Sequence, residues 1–335
     1  MKLLPRLVSP SSILLAGGLL FHCSASNREI DGDDAGTPTS DGSVIFTGGD
    51  SGAETSAPKT ETVVYAHTET TIYKIDPSKP TLALEKIGDV ECMGVGASGD
   101  PSLTDLAVDK NGQIFGVSSN FAYTLSIQGS TIKCDKKWQL TGATSGTKDH
   151  PVFFGLTIAP EGTISATEET LVAANSEGDL FQIDKTNGTT TLVGTFGSDK
   201  KGKPWGLSGD IVFLANNGSP IGFATVRTDT STVDSLIEIN VGAIKPGTQS
   251  VQKSIRGELK RGGWCSNSKS PQSFDKMFGI AAFNDKVYGF SDAGEIVEIR
   301  NNDGTACLIQ SNGTMRFKGA GVTTSAPVIP PSLLQ

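Results

Sequence analysis

The chain has 335 residues, with 28 basic and 36 acidic side chains, a formal net charge of −8 and 40 glycines. That balance excludes a nucleic-acid protein as a whole, because a polyphosphate partner requires a basic surface. Beyond the adjacent His22 and Cys23, no two of the remaining four cysteines and two histidines are closely spaced, which excludes the usual zinc-site patterns.

Lys2 and Arg6 precede an apolar run from Ile13 to Phe21 that ends at Cys23, the layout of an export signal too short to span a bilayer. Residues 1–22 therefore read as a signal peptide, and its loss leaves 26 basic against 36 acidic residues, a net charge of −10. No later apolar run has the length to cross a membrane. Leu20-Phe21-His22-Cys23 resembles the lipobox of bacterial lipoproteins, with Leu three residues before Cys. The resemblance implies a diacylglycerol on Cys23 and an outer-membrane or cell-surface lipoprotein held by that lipid alone. His22 departs from the pattern, where a small residue is usual, so cleavage after Ala25 or Ser26 to a secreted or periplasmic protein is the alternative.

Residues 23–60 are rich in Gly, Ser, Thr and Asp, cannot bury enough surface to offset the entropy of ordering, and read as a disordered tether. The Asp31-Gly32-Asp33-Asp34 stretch lacks the spaced oxygens and closing Glu of an EF-hand loop and is solvated linker.

From residue 61 a unit of four short strands recurs. Its clearest copy is Phe278–Cys307, where three apolar runs are separated by Asn284-Asp285 and Ala293-Gly294, and a fourth follows Asn302-Asp303-Gly304. A second copy covers 102–134, a third begins at Phe154, and a looser fourth begins at Trp205. The third-strand hairpin is the most regular piece: Ile72-Tyr-Lys-Ile-Asp, Leu180-Phe-Gln-Ile-Asp, Leu236-Ile-Glu-Ile-Asn and Ile296-Val-Glu-Ile-Arg. The first copy, Val63–Ile87, lacks a first strand, and Phe317-Lys-Gly-Ala-Gly-Val-Thr supplies one at the other end of the chain.

These hairpins and the split first copy resemble the β-propellers of exported bacterial proteins, with the repeat architecture of gluconolactonase-like and NHL-like propellers. The resemblance implies an all-β fold of four-stranded blades over 61–326, followed by a tail at 327–335, with the C-terminal strand completing the N-terminal blade. First strands near Leu106, Leu156, Leu207, Ile280 and Gly321 give five blades. The long interval from Leu207 to Ile280 leaves six as the alternative, and a β-sandwich is the competing architecture.

Four cysteines remain in the exported body, and an even count in an oxidising compartment implies disulfides. Cys92/Cys134 and Cys265/Cys307 share a 42-residue spacing at equivalent places in two copies, so pairing within each copy is the connectivity that repeats.

Catalytic patterns are weak. His67 and His150 read as ordinary strand or loop histidines, and Trp205-Gly-Leu-Ser-Gly-Asp210 is not a nucleophile elbow, because Asp210 stands where the second Gly belongs. Gluconolactonase-like propellers hold one divalent metal in the central channel. The matching expectation here is a cation such as Ca²⁺ on Asp105, Asp210 and Asn284, with a metal-dependent lactonase-like hydrolase as the alternative function; otherwise no cofactor is expected.

The leading expectation comes from three long connections, about 136–153, 197–205 and 253–277. They carry twelve basic residues against Asp149, Asp199, Glu258 and Asp275. The ligand-binding candidates are Lys200, Lys201, Lys203 and Arg261 with Trp138, Trp205 and Trp264, since aromatic faces beside cations suit an anionic ligand with apolar ring faces. The expected function is a tethered, non-enzymatic binding module presenting this face to an anionic surface polysaccharide or an envelope protein. The bland alternative is that the loops are solvated and the tryptophans pack against the sheets.

Overall fold

A computed structural model describes residues 62–79, 82–94, 101–142, 152–284 and 286–327, all within the unit Pro58–Gln335. The signal peptide, the Cys23 lipidation site, the tether and residues 328–335 lie outside the described residues, as do Lys148, Asp149, His150 and Asp285.

Four antiparallel meanders of four strands follow one another along the chain. The first is β4 (Asp105–Val108), β5 (Ile114–Val117), β6 (Phe121–Gln128) and β7 (Thr131–Gln139). After the two-residue β8 (Thr141–Gly142) come β9 (Phe153–Ala159), β10 (Thr170–Asn175), β11 (Asp179–Ile183) and β12 (Thr189–Thr195). The third is β13 (Gly206–Leu214), β14 (Ile221–Arg227), β15 (Ser235–Ile239) and β16 (Gln252–Glu258), and the fourth β17 (Gly279–Phe283), β18 (Lys286–Phe290), β19 (Glu295–Arg300) and β20 (Ala306–Ser311). At the N-terminal end β1 (Val64–His67), β2 (Thr71–Ile75) and β3 (Glu85–Val90) make only three. The C-terminal β21 (Gly319–Val322) pairs antiparallel beside β1, placing Val64 opposite Val322 and His67 opposite Gly319. A short parallel pairing of β3 with β7 joins these strands to the β4–β7 meander.

The hairpin residues do what their chemistry allows. Asn284 turns β17 into β18 at φ 55°, and Gly294 turns β18 into β19 at φ 78°, a region that Asn and Gly enter at low cost.

Burial falls from the first to the fourth strand of each unit. β4, β21 and most of β17 are buried at every position, whereas β16 and the distal half of β7 are half-buried or exposed. A strand covered on both faces is mostly apolar or small, which is why the first strands read Leu-Ala-Val after the buried Asp105, Gly-Ile-Ala-Ala-Phe and Gly-Ala-Gly-Val. First strands touch in the sequence β4, β9, β13, β17, β21 and again β4. Apolar layers fill the spaces between neighbouring sheets; Phe115 and Val117 meet Phe153 and Phe181, for example, in one of them.

Disulfides Cys92–Cys134 and Cys265–Cys307 join equivalent places in two units, each tying the connection after a fourth strand to a later fourth strand. Closing a 42-residue separation contributes about 4 kcal/mol in the chain-entropy model.

Two details differ from the sequence reading. Lys136, Lys137 and Trp138 lie within β7 and Lys253 and Arg256 within β16, because these outer strands run longer than the apolar pattern marks. The first strand near Leu207 carries a register shift between Leu207 and Ile211, so Ile211 takes the core position. The interval to Ile280 is occupied by β13–β16, two 3-10 turns and the disulfide-bearing connection.

Candidate functional site

The five first strands are layered at one end. Thr104, Phe154, Gly209, Phe278 and Lys318 stand at or just before the start of β4, β9, the shifted part of β13, β17 and β21. Together with Leu103, Leu207, Ser208, Arg227, and Glu69 and Ser176 from neighbouring turns, they line a cavity of about 440 Å³. The irregularity in β13 makes room for it: a Cβ on Gly209 would collide with the Met277 carbonyl and the Thr225 hydroxyl. Two or three residues further along the same strands, Ala107, Leu156, Ile211, Ile280 and Ala320 leave only about 10 Å³ between them, so the space between the strands closes there.

The layer between holds His67, Asp105 and Asp210, all fully buried. Asp105 accepts the Leu156 N–H of β9, and Asp210 accepts the Ile280 N–H of β17 at 2.8 Å. The two carboxyls lie close enough to affect each other's ionisation. His67 Nδ1 donates to the Thr68 carbonyl (2.6 Å), leaving Nε2 facing Asp105 Oδ1 at 3.8 Å, and neither of these atoms receives an N–H or O–H donor. Gly319 closes the layer, since a Cβ there would collide with both atoms. Burial holds the His67 imidazole down at about 4, so it is neutral. Burial, followed by the charge of Asp210, pushes Asp105 well above the usual carboxylate range, and burial raises Asp210 to about 7.

At the rim, Phe154 keeps 44% of its surface exposed in spite of its place on a first strand. The Arg227 side chain is 36% exposed and reaches Asp234 only at 4.0 Å. Lys318 is more committed, 3.2 Å from Asp292 and 4.0 Å from Glu69. Burial raises Asp234, behind Arg227, to about 6.

The expected metal set does not assemble. Asp105 and Asp210 do approach each other, but Asp105 Oδ2 and both Asp210 oxygens are taken by backbone N–H groups, while Asn284 sits in the β17–β18 turn at the opposite end of its strand. No group of three or more His, Cys, Asp or Glu among the described residues is arranged to hold a metal ion. The residues present do not fit the channel cation of the lactonase-like reading.

The tryptophans also have other work. Trp205 is 6% exposed and donates its indole N–H to Gln252 Oε1 at 2.9 Å, so it offers no stacking face. Trp264 donates to Thr305 Oγ1 (2.9 Å), and the Arg300 guanidinium covers its ring at 4.5 Å. Trp138 packs against the Phe153–Phe181 cluster. An indole beside a long connection fills the gap between sheets, where its apolar area is worth most. Several of the loop cations are paired: Lys203 with Asp229 (3.2 Å), Lys253 with Glu238 (2.9 Å), and Arg256 also with Glu238 (2.5 Å). Arg261 is half-buried and donates to the Cys265 carbonyl, while Lys200 and Lys201 are exposed on a turn held by Asp199.

The cavity residues escaped the sequence reading because they come from eight separate stretches. The exception is Phe154, an aromatic residue directly beside the buried Phe153 in a strand that needs only one of them inside.

The architecture is all-β, built from repeated four-stranded antiparallel sheets. The two disulfides suit an oxidising compartment, and no helix among the described residues is long and apolar enough to cross a membrane. No protein-family model and no curated protein matches the chain. Among solved structures it is similar to a protein of unknown function from Bacteroides caccae (12% identity, TM-score 0.40, covering 78% of this chain and 99% of that one). It is also similar to Kuenenia stuttgartiensis hydrazine synthase (11%, 0.35, 74% and 62%) and to BBS1N in complex with ARL6DN (9%, 0.35, 71% and 60%). No residue role is carried over from them.

Proposed function

We propose that the chain is a five-bladed β-propeller, its N-terminal blade completed by the C-terminal strand, carried on a lipid-anchored tether as a non-enzymatic module that binds an acidic surface polysaccharide. The β1–β21 pairing and the contact sequence of the first strands support the fold. The observation that carries the function is the cavity to which the first strands contribute in common. Phe154 and Phe278 offer faces for the apolar side of a sugar ring, Ser102, Thr104, Ser176 and Ser208 offer hydroxyls, and Arg227 offers a fork for a carboxylate. The volume of about 440 Å³ lies within the range of ordinary small-ligand sites. This reading moves the binding site from the tryptophan-bearing loops to the cavity and keeps the expected ligand class.

The test is calorimetric titration of the mature protein with oligogalacturonate. Phe154→Ala and Arg227→Gln are each expected to weaken binding about tenfold or more, roughly 1.4 kcal/mol, and only the Arg227 variant should reduce the salt dependence. Binding unchanged in both variants, or capture of an envelope protein in place of any acidic glycan, would overturn the reading.

A further inference from the structure

The first strands carry the cavity at their starts, and the chain's own C-terminal segment lies across their ends. Beyond β21, Thr323 bridges Val108 in parallel and donates its hydroxyl to the Asp109 carbonyl (2.8 Å), at the end of β4. The Thr324 hydroxyl donates to Glu169 in the β9–β10 connection, and the Thr324 carbonyl accepts the Ala215 N–H just after β13 (2.8 Å). The Pro327 carbonyl accepts the Asn284 N–H in the β17–β18 turn (2.7 Å). In the contact order of the first strands β4 and β17 flank β21, and β9 and β13 lie across from it, so this segment crosses the space they enclose. Thr324, in the middle of the crossing, is 1% exposed.

Among the described residues no passage joins the cavity to this plugged end. Ala107, Leu156, Ile211, Ile280 and Ala320 leave about 10 Å³ between them, and His67, Asp105 and Asp210 in the layer nearer the cavity are fully buried. The cavity is therefore blind. Its lining grades from the exposed Phe154 and the half-exposed Arg227 to the buried Ser208, a depth that a chain lying across the mouth would leave empty.

We propose that this blind cavity reads the end of a glycan chain: a terminal uronic-acid residue enters it, and the rest of the chain leads away from the mouth. The inference rests on the ligand reading above and narrows it from an acidic polysaccharide to the terminus of one. A sugar ring is far wider than a water molecule, so a polymer cannot thread between the first strands. An internal residue would have to carry the chain in and out by the same mouth, a reversal that a polymer of rigid rings does not make within about 440 Å³. A terminal residue has a single linkage. It enters with its ring against Phe154 or Phe278 and its carboxylate toward Arg227, and its unsubstituted hydroxyls meet those of Thr104 and Ser176. A site that hydrogen-bonds a hydroxyl discriminates against a ligand in which that hydroxyl is missing or tied into a linkage.

The experiment is calorimetric titration of the mature wild-type protein with a short and a long oligogalacturonate at fixed salt. Each is also supplied with its reducing end reduced to the open alditol, or with its non-reducing terminal ring unsaturated. One protein should bind per glycan chain at both lengths, with dissociation constants per mole of chain equal within about twofold. At least one of the two end modifications should weaken binding about tenfold or more. Protein bound in proportion to chain length, or binding indifferent to both modifications, would overturn end reading and leave the acidic-glycan reading standing. No binding by any of these oligogalacturonates would overturn both. Wild-type protein serves throughout, so no outcome turns on the folding of a variant.

Discussion

Phe317 is the strongest single probe of how the C-terminal strand is held. Its side chain is fully buried, its ring meets Phe290 edge-on with centroids 5.5 Å apart, and it shares one core with Val64 and Ala66 of β1 and Val287 of β18. Phe317→Ala removes that burial and leaves a cavity between two sheets that β-sheet hydrogen bonding keeps from collapsing. The expected cost is about 3–5 kcal/mol, the range for buried Phe→Ala changes. At roughly 2–4 °C per kcal/mol for a domain of this size, Tm should fall by about 10 °C, and the denaturant midpoint should fall without a change in slope. Truncation after Thr314 removes Phe317, Ala320 and Val322 together and uncovers the edge of β1, so it should cost more than the point change. A loss below about 1 kcal/mol for Phe317→Ala, or a truncated chain as stable as the parent, would refute the docking of β21.

Three further outcomes are expected. Peptide mapping of the oxidised protein should find Cys92 with Cys134 and Cys265 with Cys307, and replacing either pair by Ser should cost about 4 kcal/mol; crossed pairs or free thiols would break the correspondence between the two units. Trp205→Ala should cost about 3–5 kcal/mol in stability while binding of oligogalacturonate by the folded fraction stays unchanged; reduced affinity at full stability would restore Trp205 as a ligand contact. Mass spectrometry of the exported chain should find a diacylglycerol on Cys23 that Cys23→Ser abolishes; an N-terminus at Ser26 or Asn27 would mean ordinary signal-peptidase cleavage instead.

The repeated four-strand unit was legible because each strand type carries its own local signature: first strands dominated by small and apolar residues, a regular Ile/Leu-x-x-Ile third strand, and Asn or Gly at turns that need positive φ. The partnership of residues 64–67 with 319–322 was legible for the same reason, a unit missing a first strand and a first strand missing its unit. The disulfides could be paired from spacing because equivalent places recur. What the sequence hid is three-dimensional. Asp105 and Asp210 sit out of phase in the repeat and meet only because β13 is irregular between Leu207 and Ile211. His67 gives no local hint that it faces Gly319, a residue at the other end of the chain. Charge counting over loops misled because it could not see that Lys203, Lys253 and Arg256 have acidic partners and that Trp205 points inward.

The most direct test of where the ligand sits compares two variants in one titration against oligogalacturonate. Ser176→Trp fills the cavity lined by Phe154 and Arg227, whereas Lys200→Glu with Lys201→Glu reverses exposed charge on the loop before β13. The cavity account predicts that Ser176→Trp abolishes binding and that the double reversal shifts affinity less than about threefold, under 1 kcal/mol. Binding that survives the filled cavity and disappears with the loop charges would contradict it.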